Sequence, residues 1–403
     1  MAFELGIDRL LKEKKLISGL KGKKVALVAH PASVDSRIRH SLDLLSELNG
    51  IKLVSAFGPQ HGMRGEKQYN MIETEDYYDP YLKIPVFSLY GKVRRPTSAM
   101  MNTFDVVLFD LQDVGTRIYT FLTTLLYMME ACSKCGKEIW VLDRPNPAGR
   151  SIEGHKLRPG FESFVGAGPL PIRHSLTLGE AALWFQKHFS LDVNLKVIAM
   201  KGYNPTKAPE FGWPRLSWVN PSPNAATPAM ARCFAGTVLI EGTHLSEGRG
   251  TTRPLEVIGA PDINIQIILK EMEKIGSSWM KGCVIRPCYF QPTFYKYKDS
   301  MCEGIQIHVD QLTYDPKLFK PFRLVMLFLK ALHKIYPDYK IFRNFEYEYE
   351  KDRLAFDLIT GGTIAREWIE DSRAKPDDLD KVLRADEKAW RSEIKPHLLY
   401  HHD

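Results

Sequence analysis

Over its first two-thirds the chain alternates short, unbroken apolar runs with longer amphipathic ones. Lys24 to His30 (KVALVAH), Lys52 to Phe57, Val86 to Leu89, Asp105 to Asp110, Ile139 to Asp143 and Lys196 to Met200 each read as a strand. Between them Ser41 to Leu48, Tyr119 to Cys132 and Leu178 to Phe189 have helical spacing, and Thr177 with Glu180 forms a capping-box signal for the last. A strand that is apolar on both faces cannot turn either face to water. It belongs in a parallel sheet with helices on both sides, which makes the amino-terminal part a Rossmann-like α/β domain. TVLIEG reads as one more strand, entering the loop THLSEGRGTTRP. Beyond it the alternation stops. A helix over Ile263 to Ile275, strands over Cys283 to Pro287 and Gly304 to Val309, a helix over Leu318 to Tyr336 and two later helices suggest a smaller α+β C-terminal domain. The expected division is 1–258 and 259–403, in keeping with 403 residues being too many for one simple core.

Several functions are disfavoured. A net charge of +7 is modest, and the basic residues form no stripe interleaved with aromatics, so nucleic acid is not an expected partner. No run approaches the ~20 apolar residues that cross a bilayer, and the first residues carry no secretory signal, which together suggest a cytoplasmic protein. Of six cysteines, Cys132 and Cys135 alone make a C-x-x-C pair. Without a second pair at zinc spacing they read as reduced structural thiols, and no metal is expected. The residues after KVALVAH are PASVDSR, with none of the glycines of a dinucleotide-binding turn. A phosphate-binding P-loop and a G-x-S-x-G nucleophile elbow are also missing, so no cofactor is expected and an NAD(P)-linked oxidoreductase is a weak alternative.

Polar residues collect where the expected strands end. Gln60, His61 and Arg64 lie in FGPQHGMRG; Asp110, Gln112, Asp113, Arg117 and Tyr119 lie in FDLQDVGTRIYT; Asp143, Arg144 and Asn146 lie in VLDRPNPAG; Glu241, His244, Glu247, Arg249 and Arg253 lie in LIEGTHLSEGRGTTRP. Carboxyl ends of strands are where open α/β sheets bind ligands. Each residue also has a plainer use: Asp110 and Asp143 as turn or cap formers, His61 bonded to its own loop, Arg144 bracing one, and Glu241 and Glu247 paired with the nearby arginines. Carboxylates accompanied by amides such as Gln60, Gln112, Asn220 and Asn224 and by aromatics such as Tyr119, Trp213 and Trp218 are what a sugar site uses. Glycoside hydrolysis needs a raised-pKa acid at the leaving oxygen and a second group near the anomeric carbon.

Together FGPQHGMRG, SLYG, FDLQDVGTRIYT, VLDRPNPAG, WVNPSPNAATPAM and LIEGTHLSEGRGTTRPLEVIGAP resemble the NamZ-type exo-β-N-acetylmuramidases, glycoside hydrolase family 171, in order and over nearly the whole chain. The resemblance implies removal of N-acetylmuramic acid from the non-reducing end of peptidoglycan fragments, in a cleft between a Rossmann-like and a smaller domain. Many members read P-E-H-G where this chain has Pro59-Gln60-His61-Gly62. A glutamine cannot give up a proton at neutral pH. The acid is then expected to be Glu241 or Glu73, with Glu66 a further substitute; His61 and Asp113 would orient substrate or water. Arg64 and Arg249 would pair with the lactyl carboxylate of a muramic-acid-containing sugar or muropeptide. The alternative is a non-catalytic carbohydrate-binding protein in which Gln60 has replaced the acid.

Overall fold

A computed structural model describes residues 3–65, 67–68 and 71–400. The strands are β1 (Lys24–Val28), β2 (Lys52–Gly58), β3 (Tyr77–Tyr78), β4 (Pro85–Ser88), β5 (Val106–Phe109), β6 (Glu138–Leu142), β7 (Glu153–Lys156), β8 (Pro171–Arg173), β9 (Asn194–Ile198), β10 (Val257–Ala260), β11 (Val284–Phe290) and β12 (Cys302–His308). The main sheet runs β3-β4-β2-β1-β5-β6-β9, with every pair parallel except β3 on β4. Counting parallel strands alone, the order is the doubly wound 3-2-1-4-5-6 with its switch point between β1 and β5. All six strands expected from the apolar runs are present. Val106 to Phe109 are buried throughout, as a central strand covered on both faces must be.

The helices are α1 (Gly6–Lys12), α2 (Lys14–Ser18), α3 (Ser41–Glu47), α4 (Ser98–Met101), α5 (Phe121–Cys135), α6 (Leu178–His188), α7 (Pro228–Thr237), α8 (Ile265–Gly276), α9 (Pro321–Ile335), α10 (Ala355–Thr360), α11 (Ile364–Glu370) and α12 (Pro376–Ile394). At the start of α6 the Thr177 side chain accepts from the Glu180 amide while the Glu180 carboxylate accepts from the Thr177 amide. Thr177 Oγ1 also donates to Asp143 at 2.8 Å. Thr177→Ala should therefore lower the unfolding free energy by about 1–2 kcal/mol, read from a urea transition, with little effect on any ligand site.

One strand assignment is corrected. TVLIEG is the end of α7 continued by a 3₁₀ helix, Val238–Gly242, in which every residue is buried. A short apolar run with core on all sides has no face to reveal its period, so a buried helical turn and a buried strand look alike in sequence. The second layer holds a small antiparallel sheet, β10-β12-β11, with α8 and α9 packed together beside it. Alpha-helix α7 packs against α9, and residues from Ala225 onward share a core cluster with it, ahead of the expected division at 258/259.

The chain's last long helix ties the two layers together. Residues of α12 pack on β7, and Trp390 Nε1 donates to the His174 carbonyl at 2.9 Å. Arg323 on α9 bridges Asp380 and Glu387 of α12, while the Glu153 carboxylate accepts from the Arg323 amide at 3.0 Å. Among the described residues no helix is long and apolar enough to cross a membrane.

Candidate active site

A cleft, open at its mouth, lies where the loop after β2, the start of α5 and the α7–3₁₀ segment meet the chain at Tyr347 and Glu348. Gly58 ends β2 with the returning loop so close that an added Cβ would lie 2.7 Å from the Met63 nitrogen. His61 (φ 71°) and Gly62 (φ 85°) complete the reversal in left-handed conformation, which costs a histidine strain that a glycine would not bear. This turn aims Gln60 and His61 into the cleft.

Gln60 is held from both sides. Thr120 Oγ1 donates to its carbonyl oxygen at 2.9 Å, and its Nε2 donates to Glu348 Oε1 at 3.2 Å. The other Glu348 oxygen accepts from the Tyr90 hydroxyl at 2.8 Å. Glu348 is buried, and loss of water pushes its carboxyl up to about 7; the bonds from Tyr90 and Gln60 oppose that rise only in part. His61 Nδ1 donates to the Lys67 carbonyl, 2.8 Å away. Burial lowers its ring to about 4, so His61 is neutral at physiological pH and can offer the sugar a hydrogen bond but not a charge.

Across the cleft Glu241 is gripped by Arg249 Nη2 and by the Tyr347 hydroxyl at 2.8 Å. Arg249 Nε reaches Glu247 at 3.1 Å, and Glu247 also accepts from Lys296 Nζ at 2.9 Å. Burial works to raise the Glu247 carboxyl, but Lys296 and Arg249 outweigh it and the net shift is downward. Glu247 is thus the counter-ion behind the cleft wall, while Glu241 and Arg249 line the cleft itself. Tyr119 and Asn224 line it too. The buried Asn224 Nδ2 has no protein partner among the described residues, which leaves it for a ligand.

Many of the other residues singled out in the sequence are already engaged elsewhere. Asp110 receives Arg144 in a bidentate pair, Nε at 2.6 Å and Nη2 at 2.9 Å, and also the Ser41 hydroxyl. That pair sits at the β1–β5 switch point, where a Rossmann enzyme would hold its dinucleotide. Gln112 Nε2 spans the Asp113 and Pro145 carbonyls, each at 2.8 Å; Asp113 accepts from the Gly115 amide at 2.6 Å and faces His174 Nε2 at 3.4 Å. Arg117 is buried and donates to the Leu170 and Ile359 carbonyls, both at 2.9 Å. Asp143 accepts from Thr177, the Gly179 amide and the Tyr400 hydroxyl, and Asn146 bonds the Leu176 carbonyl and the Ala148 amide. Asn220 and His244 are exposed, Arg64 is paired with Asp43 at the surface, and exposed Glu73 is paired with Arg94 at 3.4 Å. Glu66 lies outside the described residues.

Two family profiles span this architecture: Exo-beta-N-acetylmuramidase NamZ, N-terminal, over residues 25–229, and Exo-beta-N-acetylmuramidase NamZ, C-terminal, over residues 232–400. The chain belongs to the NamZ family. It is 38% identical over 398 residues to the peptidoglycan beta-N-acetylmuramidase NamZ of Bacillus subtilis, covering 98% of this chain and 90% of that one. Two DUF1343 family proteins from Bacteroides fragilis have similar crystal structures. One has a TM-score of 0.85 at 28% identity over 99% of both chains, the other a TM-score of 0.75 at 27% identity over 100% of both.

Sequence reasoning for this NamZ member found Gln60, His61, Tyr119, Asn224, Glu241 and Arg249 in the cleft, but missed Glu348, Tyr347 and Thr120 in its lining and Tyr90, which bonds Glu348. The signal for Glu348 was the run FEYEYE at 345–350, acids alternating with aromatics in a stretch of no helical period. Its meaning is tertiary: Glu348 meets Gln60 across 288 positions of sequence.

Proposed function

We propose that this chain is an exo-β-N-acetylmuramidase that releases N-acetylmuramic acid from the non-reducing end of peptidoglycan fragments. Membership of the NamZ family and the likeness to the Bacillus subtilis enzyme support the reaction class. The observation that carries hydrolysis rather than binding is that two buried carboxyl groups, Glu241 and Glu348, face the cleft although Gln60 is an amide. Burying acids costs free energy that a site for sugar binding alone has no need to bear. The neutral His61 ring, the Tyr119 hydroxyl and the Asn224 amide hydrogen-bond the sugar. Arg249 has Nη1 outside its contacts with Glu241 and Glu247, and that nitrogen meets the lactyl carboxylate. Six free thiols suit work in a reducing compartment, hence the handling of wall fragments inside the cell.

The purified protein should release N-acetylmuramic acid from short glycans ending in that sugar and leave chains ending in N-acetylglucosamine intact. Binding of the muramic-ended glycan without release would establish the binding-only reading that Gln60 favours; neither binding nor release would refute both. Asn224→Ala should lower kcat/KM about three- to tenfold through one lost neutral hydrogen bond while leaving the melting temperature unchanged.

A further inference from the structure

Glu348 is the single described residue that lines both this cleft and a second, wider opening. The second is a groove of about 1360 Å³ along Arg94, Arg95, Tyr127, Phe164 and Tyr349. Arg94 lies over the Tyr349 ring at 3.2 Å and Arg95 over the Tyr127 ring at 3.5 Å, and the two guanidiniums are paired with Glu73 and Glu130, so the groove is walled by flat, stacked polar faces. An exo-acting hydrolase keeps the terminal sugar in a closed subsite and the rest of the chain outside it. Its scissile bond must then lie at the junction of the two spaces, which here is marked by Glu348. The backbone also marks the place: Glu348 (φ 47°) and Tyr349 (φ 72°) are consecutive left-handed residues, neither of them glycine, a strain held by the surrounding structure.

We propose that Glu348 is the proton donor for glycosidic bond cleavage and that Gln60 is the residue that positions it, an inference that rests on the hydrolase reading above. The Glu348 O–H proton passes to the glycosidic oxygen as the bond from that oxygen to the anomeric carbon breaks, and the electron pair of the bond leaves with the oxygen. The leaving chain departs with a new hydroxyl. Water then bonds to the anomeric carbon, and the proton it loses restores the carboxyl, so the net change is addition of one water across the bond. Gln60 Nε2 fixes one carboxyl oxygen and Tyr90 the other, and neither partner carries charge to draw the proton away. The charged groups nearby are Arg94 on the groove side and Glu241, clamped by Arg249, on the cleft side; Tyr347 adds a hydroxyl bonded to Glu241. With its carboxyl raised to about 7 by burial, Glu348 is protonated in mild acid, and the rate should fall as pH rises through about 7.

The test compares a muramic acid–glucosamine disaccharide with a dinitrophenyl muramide, whose leaving group needs no proton. Glu348→Gln should lose roughly 10²–10⁴-fold in kcat on the disaccharide but less than tenfold on the aryl glycoside, and the alkaline limb that the wild type shows on the disaccharide should be absent from its aryl profile. The double variant Gln60→Glu/Glu348→Gln should regain part of the disaccharide activity, because a carboxyl then stands on the other side of the same hydrogen bond. Tyr90→Phe, which removes a bond that lowers the Glu348 carboxyl, should keep the fold and move the alkaline limb to higher pH. Equal losses on both substrates, or an alkaline limb unmoved by Tyr90→Phe, would overturn the inference while leaving the hydrolase reading intact. Wild-type protein that cleaves neither glycoside would remove the hydrolase reading and this inference together.

Discussion

Arg249→Met is expected to lose about 3–5 kcal/mol of stability and nearly all activity. The guanidinium is buried between two carboxylates, Glu241 in the cleft and Glu247 behind it, and Lys296 pairs with the Glu247 carboxylate from the other side. Methionine preserves much of the volume but takes the guanidinium away from Glu241, a buried acid that keeps its bond from the Tyr347 hydroxyl but loses its arginine partner. Removing one partner of a buried pair strands the other, and that desolvation penalty, rather than the attraction lost, sets the size of the effect. Urea unfolding should show the lower midpoint at neutral pH. The companion Glu241→Gln keeps the hydrogen-bonding shape while discharging the site, so it should lose activity with a much smaller change in midpoint.

Arg144→Met should destabilise by a similar amount, about 3–5 kcal/mol, for the same reason. Asp110 is completely buried and takes two bonds from that one guanidinium, with Ser41 as its further partner. The difference lies in the kinetics. The Arg144–Asp110 pair is at the β1–β5 switch point and outside the lining of the cleft, so protein that remains folded at low temperature should keep its KM within about twofold. A large rise in KM at unchanged stability would instead return Arg144 to the sugar site.

These two arginines show how far the sequence could be read. The parallel sheet was legible because strands such as VVLF, covered on both faces, must be apolar without interruption, and a capping box at Thr177 and Glu180 acts through local geometry. The turn after β2 was legible because its glycines and polar groups have few other uses. The same logic over-reached at VLDRPNPAG. Asp143 and Asn146 also stand at a strand end, but the fold consumes their hydrogen bonds in capping α6 and bracing the loop, and sequence does not show which polar groups are already satisfied. TVLIEG was misread because complete burial erases periodicity. Glu348 was beyond reach for another reason: its role comes from docking a non-periodic segment against Gln60 and Tyr90, which no local pattern encodes.

The central claim is that one cleft, bounded by Gln60, Glu241 and Glu348, holds the terminal muramic acid. A crystal structure of the protein soaked with N-acetylmuramic acid tests it most directly. The account predicts the pyranose in that cleft, its anomeric carbon toward Glu348 and its lactyl carboxylate within hydrogen-bonding distance of Arg249. Sugar bound instead in the crevice beside Arg144 and Trp213, with the cleft empty, would contradict it.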